Sequence, residues 1–237
     1  AKKEGFYDGF KGFISCEPTD LEIQIGNRGV FATSFETTGK SAHSGLAHLG
    51  VNAVHNMALF INEFRNLPYL REENRYFGKP TLNFERISGG LYLSAVPDKC
   101  SASLDSRLIP EPPPELVQKQ VDELINRLNR EKGISIRETD PPAGWRSYNM
   151  KLKAEHIPPD HELPVRVANA FRLSTGKVPV IGGCPAITMA MVLIEMGIPS
   201  VICGPGSIAQ AHTEDEWVEI DQILKASRIY AALMAEM

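Results

Sequence analysis

Apolar residues recur along this chain with two different periods, and the switches between them mark out its elements. Residues 30–38 are β-branched and aromatic with partial alternation, the two-residue period of a strand. Gly39-Lys40-Ser41 reads as a turn. Val54, Met57, Ala58, Ile61 and Phe64 then return at three- and four-residue steps, which predicts a helix over about residues 50–66, stopped before Pro68. Residues 81–88 read as a second strand, closed by Gly89-Gly90. Residues 99–109 read as a third, in which Cys100, Ala102 and Leu104 alternate with Ser101, Ser103, Asp105 and Arg107. Pro112-Pro113-Pro114 opens a second helix with one apolar stripe, Val117, Val121, Leu124, Ile125 and Leu128. Gly133 ends it, and residues 134–139 form a fourth strand. The order βαββαβ predicts a ferredoxin-like α+β unit, with two helices on one face of its sheet.

The flanking segments have a different texture. Phe13-Ile14-Ser15-Cys16 is a short apolar strand ending at Glu17. After Pro141-Pro142, residues 161–174 read as a helix and 178–183 as a strand running into a glycine turn. Residues 188–196 read as an apolar helix, 198–203 as a buried strand and 220–237 as a terminal helix. Short apolar strands alternating with helices predict an α/β domain with a mainly parallel sheet. The expected organisation is therefore a piece of that domain at 1–27, the inserted unit at 28–140, and the rest of the domain at 141–237. About 25 residues before the insertion are few for a sheet covered on both faces, which suggests that part of the domain lies upstream.

Composition narrows the field. A net charge of −4 in 237 residues, with no basic stripe, argues against a nucleic-acid partner. No apolar run approaches the ~20 residues that span a bilayer. Cys16, Cys100, Cys184 and Cys203 are widely spaced and mostly within apolar segments, so they read as reduced thiols in a reducing, cytoplasmic setting. The opening Ala1-Lys2-Lys3-Glu4-Gly5 has no apolar core of a signal peptide and no initiator Met, which fits a processed, cut or engineered start.

Two polar clusters follow directly on buried strands. One is Cys16-Glu17-Pro18-Thr19; the other runs from Gly204-Pro205-Gly206-Ser207 through His212 to Glu216. Ligands of open α/β sheets bind beyond the carboxyl ends of strands, where both clusters fall. A carboxylate and an imidazole there are donors suited to zinc, with Glu214, Asp215 and Glu216 able to orient the imidazole. Spacing alone is weak support, because a lone loop histidine is ordinarily just solvated.

Four blocks raise the reading above that. Gly39-Lys40-Ser41-Ala42-His43-Ser44-Gly45, followed by Leu49-Gly50-Val51-Asn52-Ala53, resembles the signature that opens the lid, or dimerisation, domain of M20 metallohydrolases. Glu17-Pro18-Thr19 resembles that family's metal-ligand motif. Ser88-Gly89-Gly90 through Val96-Pro97-Asp98, and Asp105-Ser106-Arg107-Leu108-Ile109-Pro110, are similar to its lid strands. The run from Gly204 to Glu216 is close to the last metal-ligand motif in acetylornithine deacetylases and succinyl-diaminopimelate desuccinylases.

The resemblance implies a dinuclear zinc amidohydrolase of amino-acid biosynthesis, with Co or Mn as alternative metals, that releases the acyl group of an N-acyl amino acid. Glu17 and His212 would each bind one of two zinc ions. His43 would reach into the partner subunit of a homodimer joined through the lid and donate a hydrogen bond to the oxyanion of the tetrahedral intermediate. Arg107 would grip the substrate carboxylate, although an ion pair with Asp105 or Glu85 is the simpler role for it. Asn83 and the backbone at Gly204 and Gly206 would add substrate contacts. A dipeptidase or carboxypeptidase of the same family is the neighbouring reading, and a non-catalytic dimerisation protein is the alternative of another class.

The chain also departs from the family pattern. The family's His-x-Asp motif, its bridging aspartate and its Glu-Glu pair with the general base lie upstream of Glu-Pro-Thr, and the sixteen residues before Glu17 contain none of them. This chain alone is therefore expected to be inactive, and a missing N-terminal half is an expected partner. Gly182-Gly183-Cys184-Pro185-Ala186 and Leu93-Ser94-Ala95 differ from relatives near the substrate pocket. A metal set of Cys184, Cys203 and His212 is disfavoured because Cys203 lies in an apolar run.

Overall fold

A computed structural model describes residue 5, residues 7–146 and residues 148–235. The expectation of no signal-peptide core at residues 1–4 and the last two positions of the terminal helix lie outside the described residues. In chain order the elements are β1 (Phe13–Ser15), β2 (Ile23–Asn27), β3 (Gly29–Thr38), α1 (Ala53–Phe64), β4 (Asn83–Gly89), β5 (Lys99–Leu108), α2 (Pro114–Lys132) and β6 (Ser135–Thr139). They continue with β7 (Met150–Leu152), β8 (Glu155–His156), α3 (Glu162–Thr175), β9 (Ile181–Cys184), α4 (Met189–Glu195), β10 (Ser200–Ile202) and α5 (Ile220–Ala235). The chain forms two compact units, one of residues 29–74 and 78–153, the other of residues 1–28, 75–77 and 154–237.

The first unit is the ferredoxin-like one. Its sheet runs β4-β5-β3-β6, entirely antiparallel, and β7 pairs the first half of β3 while β6 pairs the second. Phe31 and Phe35 of β3 and Cys100, Ala102, Leu104 and Leu108 of β5 project onto the helices, as the two-residue period requires. Ala53, Met57, Phe60 and Phe64 of α1 and Val117, Val121, Leu124 and Leu128 of α2 complete that core. Asn52 caps α1 through its side chain, accepting from His55 N at 3.1 Å, and Gly133 ends α2 in the left-handed conformation. β7 draws residues 141–153 into this unit, beyond the boundary at 140 read from the sequence, because Met150, Lys151 and Leu152 pair with Ala32, Phe31 and Val30.

Phe64 is the keystone of this core. It is fully buried and meets Phe35, Phe60, Tyr69 and Phe84 edge-on, with ring centroids 5.5–6.5 Å apart. Phe64→Ala is expected to cost about 4 kcal/mol in this unit, the usual penalty for emptying such a site. Urea unfolding followed through Trp145, in a Trp217→Phe background, checks it.

The second unit carries the other sheet, in the order β1-β10-β2-β8 with β9 also on β2. β1–β10 and β2–β9 are parallel, while β10–β2 and β2–β8 are antiparallel, so the sheet is mixed. The antiparallel pairings come from β2 and β8, which the hydrophobic pattern leaves unassigned. Ile23, Ile25, Val201 and Cys203 pack against α3 and α5, whereas Ile202 packs with Ala190 of α4, so helices cover both faces. No helix among the described residues is long and apolar enough to cross a membrane.

Candidate active site

The unit of residues 1–28, 75–77 and 154–237 brings two sequence-distant segments together. β1 and β10 are parallel, with Ser15 opposite Ile202, so the chain leaves both strands at the same end. Beyond it, Gly204 O accepts hydrogen bonds from Thr19 N at 3.2 Å and Leu21 N at 3.0 Å, and Gly206 O accepts from Asp20 N at 2.7 Å. Thr19 Oγ1 in turn accepts from Gly204 N at 3.1 Å. Asp20 and Leu21 both take left-handed backbone, which turns the chain back after Pro18 into β2. Gln222 of α5 closes the arrangement, accepting from Gly206 N at 2.7 Å and donating to Asp20 Oδ1 at 3.1 Å. Glu17 is thereby held beside Gly204 and Gly206, exposed to solvent. A cavity of about 310 Å³ lies here, lined by Pro18, Gly206, Gln210, Glu216, Trp217 and Val218 among others.

His212 lies further along the same loop, exposed and in left-handed backbone, with Thr213 bonding back to Gln210 O through N (3.4 Å) and Oγ1 (2.8 Å). Glu17 and His212 are donors of the kind zinc accepts. Yet among the described residues no three His, Cys, Asp or Glu side chains converge. Two donors do not make a metal site, so the described residues do not complete one. The cysteines do not fill the gap. Burial pushes the Cys203 thiol up to about 12, and burial, with a smaller push from the Glu17 charge, raises that of Cys184. Protonated, buried thiols are poor metal ligands.

The ferredoxin-like unit holds the other candidates. His43 is the N-terminal cap of a short 3-10 helix, Ser44–Leu49, and its Nδ1 accepts from Gly45 N at 3.1 Å. That bond uses the Nδ1 lone pair, so the neutral ring carries its proton on Nε2, and the ring is exposed. His43 is thus a fixed imidazole with a free donor. Asn83 lies opposite Asp105 across β4 and β5, and Arg107 stands two residues along β5 on the same face. Arg107 is already engaged: its Nε meets Asp105 Oδ1 and its Nη2 meets Asp105 Oδ2, each at 2.9 Å. Tyr148 OH also donates to Asp105 Oδ2, at 3.3 Å. The fork needed for a two-pronged grip on a substrate carboxylate is therefore turned inward. The sequence named Asp105 as a rival partner for Arg107 but gave no sign of Tyr148, which arrives on an aperiodic loop.

Comparison with known proteins bears on both groups. The profile of the peptidase dimerisation domain of the M20 family matches residues 25–133. That stretch is similar to the dimerisation domains of M20 peptidases. An acetylornithine deacetylase from Buchnera aphidicola subsp. Schizaphis graminum is 27% identical over 228 residues, covering 93% of this chain and 56% of that protein. The N-formyl-4-amino-5-aminomethyl-2-methylpyrimidine deformylase of Bacillus subtilis is 25% identical, covering 96% of this chain and 57% of the relative. Among solved structures, aminopeptidase PepT from Bacillus cereus superposes with a TM-score of 0.77 at 20% identity over 95% of this chain and 57% of its own. The chain therefore spans little more than half the length of these relatives. The fold is shared with M20 peptidases, and the relatives' names range over deacylation and peptide cleavage.

Proposed function

We propose that this chain is part of an M20 amidohydrolase that cleaves the amide bond of an N-acyl amino acid, with acetylornithine the first substrate to try. The reading is supported above all by one observation: Glu17-Pro18-Thr19 is stitched by backbone hydrogen bonds to residues 204–206, at the shared carboxyl end of β1 and β10. That pairing sets the Glu-Pro-Thr motif and the His212 loop at one locus, where the parent enzyme assembles its metal site. Glu17 and His212 are assigned as metal ligands, two zinc ions per complete site being the expectation, with the remaining ligands and the general base supplied from outside this chain. The backbone at Gly204 and Gly206 borders the substrate.

His43 is assigned as the donor to the developing oxyanion through Nε2–H, acting across a homodimer. Arg107, with Asn83 beside it, receives the substrate carboxylate by exchanging Asp105 for it. β4 favours the dimer. Among the described strands it pairs only with β5, and Ile87 on it and Leu91, Tyr92 and Leu93 just beyond are exposed. A second copy adding its own β4 would cover this edge. Cysteines free of disulfides suit a cytoplasmic protein.

The test compares the 237-residue chain with the full-length parent on N-acetylornithine, other N-acyl amino acids and dipeptides, before and after chelation. The chain alone is expected to show no turnover. The parent is expected to lose activity on chelation and regain it with zinc, and Glu17→Gln is expected to lower its bound metal. Metal-independent hydrolysis by the parent, or turnover by the chain alone, would overturn the reading.

A further inference from the structure

Two of the four thiols stand side by side where β1 and β10 end, and they play no part in the proposed hydrolysis. The parallel ladder runs Phe13↔Ser200, Ile14↔Val201 and Ser15↔Ile202, so one further step sets Cys16 beside Cys203. The two segments do not part at that step. Cys203 N donates to Ser15 O at 2.9 Å, and a Cβ on Gly204 would fall 2.6 Å from Cys16 C. Register partners project on one face of a sheet, and so do side chains two residues apart. Val201 and Cys203, with Ile14 packed against them, belong to the core under α3 and α5. Cys16 follows Ile14 onto that side: the two line one cavity of about 510 Å³ together with Tyr230 of α5.

Tyr230 marks how near the two thiols are. Its hydroxyl donates to Cys203 O at 2.6 Å, and its pKa is raised by burial and then by the neighbouring Cys16 and Cys203 thiols. In-register residues of adjacent strands lie about 4.8 Å apart, inside the ~4.4–6.8 Å between Cα atoms that a disulfide bridges. The two differ in access. Cys16 is exposed, whereas Cys203 is fully buried and its thiol donates to Leu21 O at 3.6 Å. An open thiol backed by a covered one is the arrangement of an attacking and a resolving cysteine. The other two cysteines lie elsewhere: Cys184 packs with Ala190 and Ile202, and Cys100 is in the ferredoxin-like core.

We propose that Cys16 and Cys203 are a redox-modification site, forming a reversible disulfide on reaction with a small-molecule disulfide. The Cys16 sulfur attacks one sulfur of the small disulfide; that S–S bond breaks, and the departing sulfur leaves with the proton given up by Cys16. Cys203 then attacks Cys16 Sγ, and the second small thiol departs with the proton of Cys203. Two cysteine thiols are thereby oxidised to one disulfide, and one small disulfide is reduced to two thiols. Transient bridges of this kind are the ones that proteins of a reducing compartment form. The bridge also bears on the candidate site. To meet Cys16, the Cys203 sulfur must leave Leu21 O, and Glu17 and Gly204 are the next residues along the two segments. In the parent, the oxidised form is therefore expected to turn over substrate about 10- to 100-fold more slowly, as when the support of a metal ligand is lost. That last step rests on the proposed function; the disulfide does not.

The experiment treats the folded 237-residue chain with excess glutathione disulfide, blocks the remaining thiols, and digests with a protease that cuts after glutamate. Cys16 then lies in peptide 5–17 and Cys203 in peptide 196–214, apart from Cys184. Mass spectrometry is expected to show a glutathione adduct on Cys16 first. The adduct should give way to a cross-link between those two peptides, with two thiols lost per chain and both returned by dithiothreitol. Cys203→Ala is expected to stop at the adduct, Cys16→Ala to form neither adduct nor cross-link, and Cys184→Ala to leave the cross-link intact. The proposal is overturned by a Cys16 that does not react, by an adduct on it that persists in the unaltered chain, by a cross-link to Cys184 or Cys100 or between two chains, or by a cross-link that forms only after unfolding in urea. Hydrolysis by the parent is read separately. A bridged parent with unchanged turnover overturns the effect on Glu17, and a parent inactive even when reduced counts against the proposed function only.

Discussion

Replacing Gly204 by alanine is expected to lower the stability of the unit that carries Glu17 by about 3 kcal/mol. A Cβ at this position would lie 2.4 Å from Glu17 O and 2.6 Å from both Cys16 C and Cys16 O. All three are backbone atoms, so no rotamer change relieves the contact, and one of the two segments must move. Movement breaks the bonds from Thr19 N and Leu21 N to Gly204 O and from Gly204 N to Thr19 Oγ1, and it frees Glu17 from its loop. Gly182→Ala is the control, since its Cβ would meet only Tyr76 O at 3.9 Å and Glu22 Oε2 at 4.0 Å. Urea unfolding of the 237-residue chain should show a clearly lower midpoint for Gly204→Ala and a near-unchanged one for Gly182→Ala. Equal midpoints would mean that residues 16–17 and 204 do not approach as described. In the parent, the same substitution should also weaken metal binding, because it displaces a proposed ligand without altering any side chain that carries chemistry.

How far the sequence exposes this structure depends on the range over which each feature is determined. α1 and α2 are legible because an apolar stripe is a local property: Val117, Val121, Leu124 and Leu128 recur at helical steps and are buried, and in α1 Met57 and Phe64 are buried as read, although Ala53 and Phe60 complete that face while Ala58 is exposed. The βαββαβ order then fixes the sheet of that unit almost without choice. β2 was not legible. Ile23-Gln24-Ile25-Gly26-Asn27 runs into Arg28-Gly29, a turn-like string, and only tertiary pairing makes it a strand. Gly26 is there because a Cβ would fall 2.2 Å from Glu155 O of β8, a neighbour some 130 residues away in sequence. β7 and β8 are too short for any period to show.

The candidate site divides in the same way. Glu17, His43 and His212 stand within recognisable motifs. The Arg107–Asp105 pair can be read from two residues on one strand face. The cross-links between residues 17–21 and 204–206, and the arrival of Tyr148 at Asp105, are long-range events that no local pattern encodes.

His43→Ser in the intact enzyme is expected to reduce kcat by about 10²- to 10³-fold with little change in KM, the usual cost of losing one oxyanion donor. Serine is chosen because His43 has two tasks. Its Nδ1 caps the 3-10 helix Ser44–Leu49 by accepting from Gly45 N, and a serine hydroxyl can take over that bond. What serine cannot supply is the Nε2–H at the end of a fixed ring. Unchanged stability with a lost rate would therefore separate the chemical task from the structural one, whereas a large fall in stability would assign His43 to the turn alone. Whether His43 serves its own subunit or the neighbour's follows from a second variant. Glu17→Gln removes a proposed metal ligand and silences the site of its own subunit, but leaves His43 in place. Co-expressing it with His43→Ser yields mixed dimers, and if His43 acts across the dimer, one site in each mixed dimer has an intact Glu17 together with an intact His43. Random pairing should then restore roughly a quarter of wild-type activity from two nearly inactive parents. If His43 acts within its own subunit, every site in the mixture lacks one of the two residues, and no activity returns.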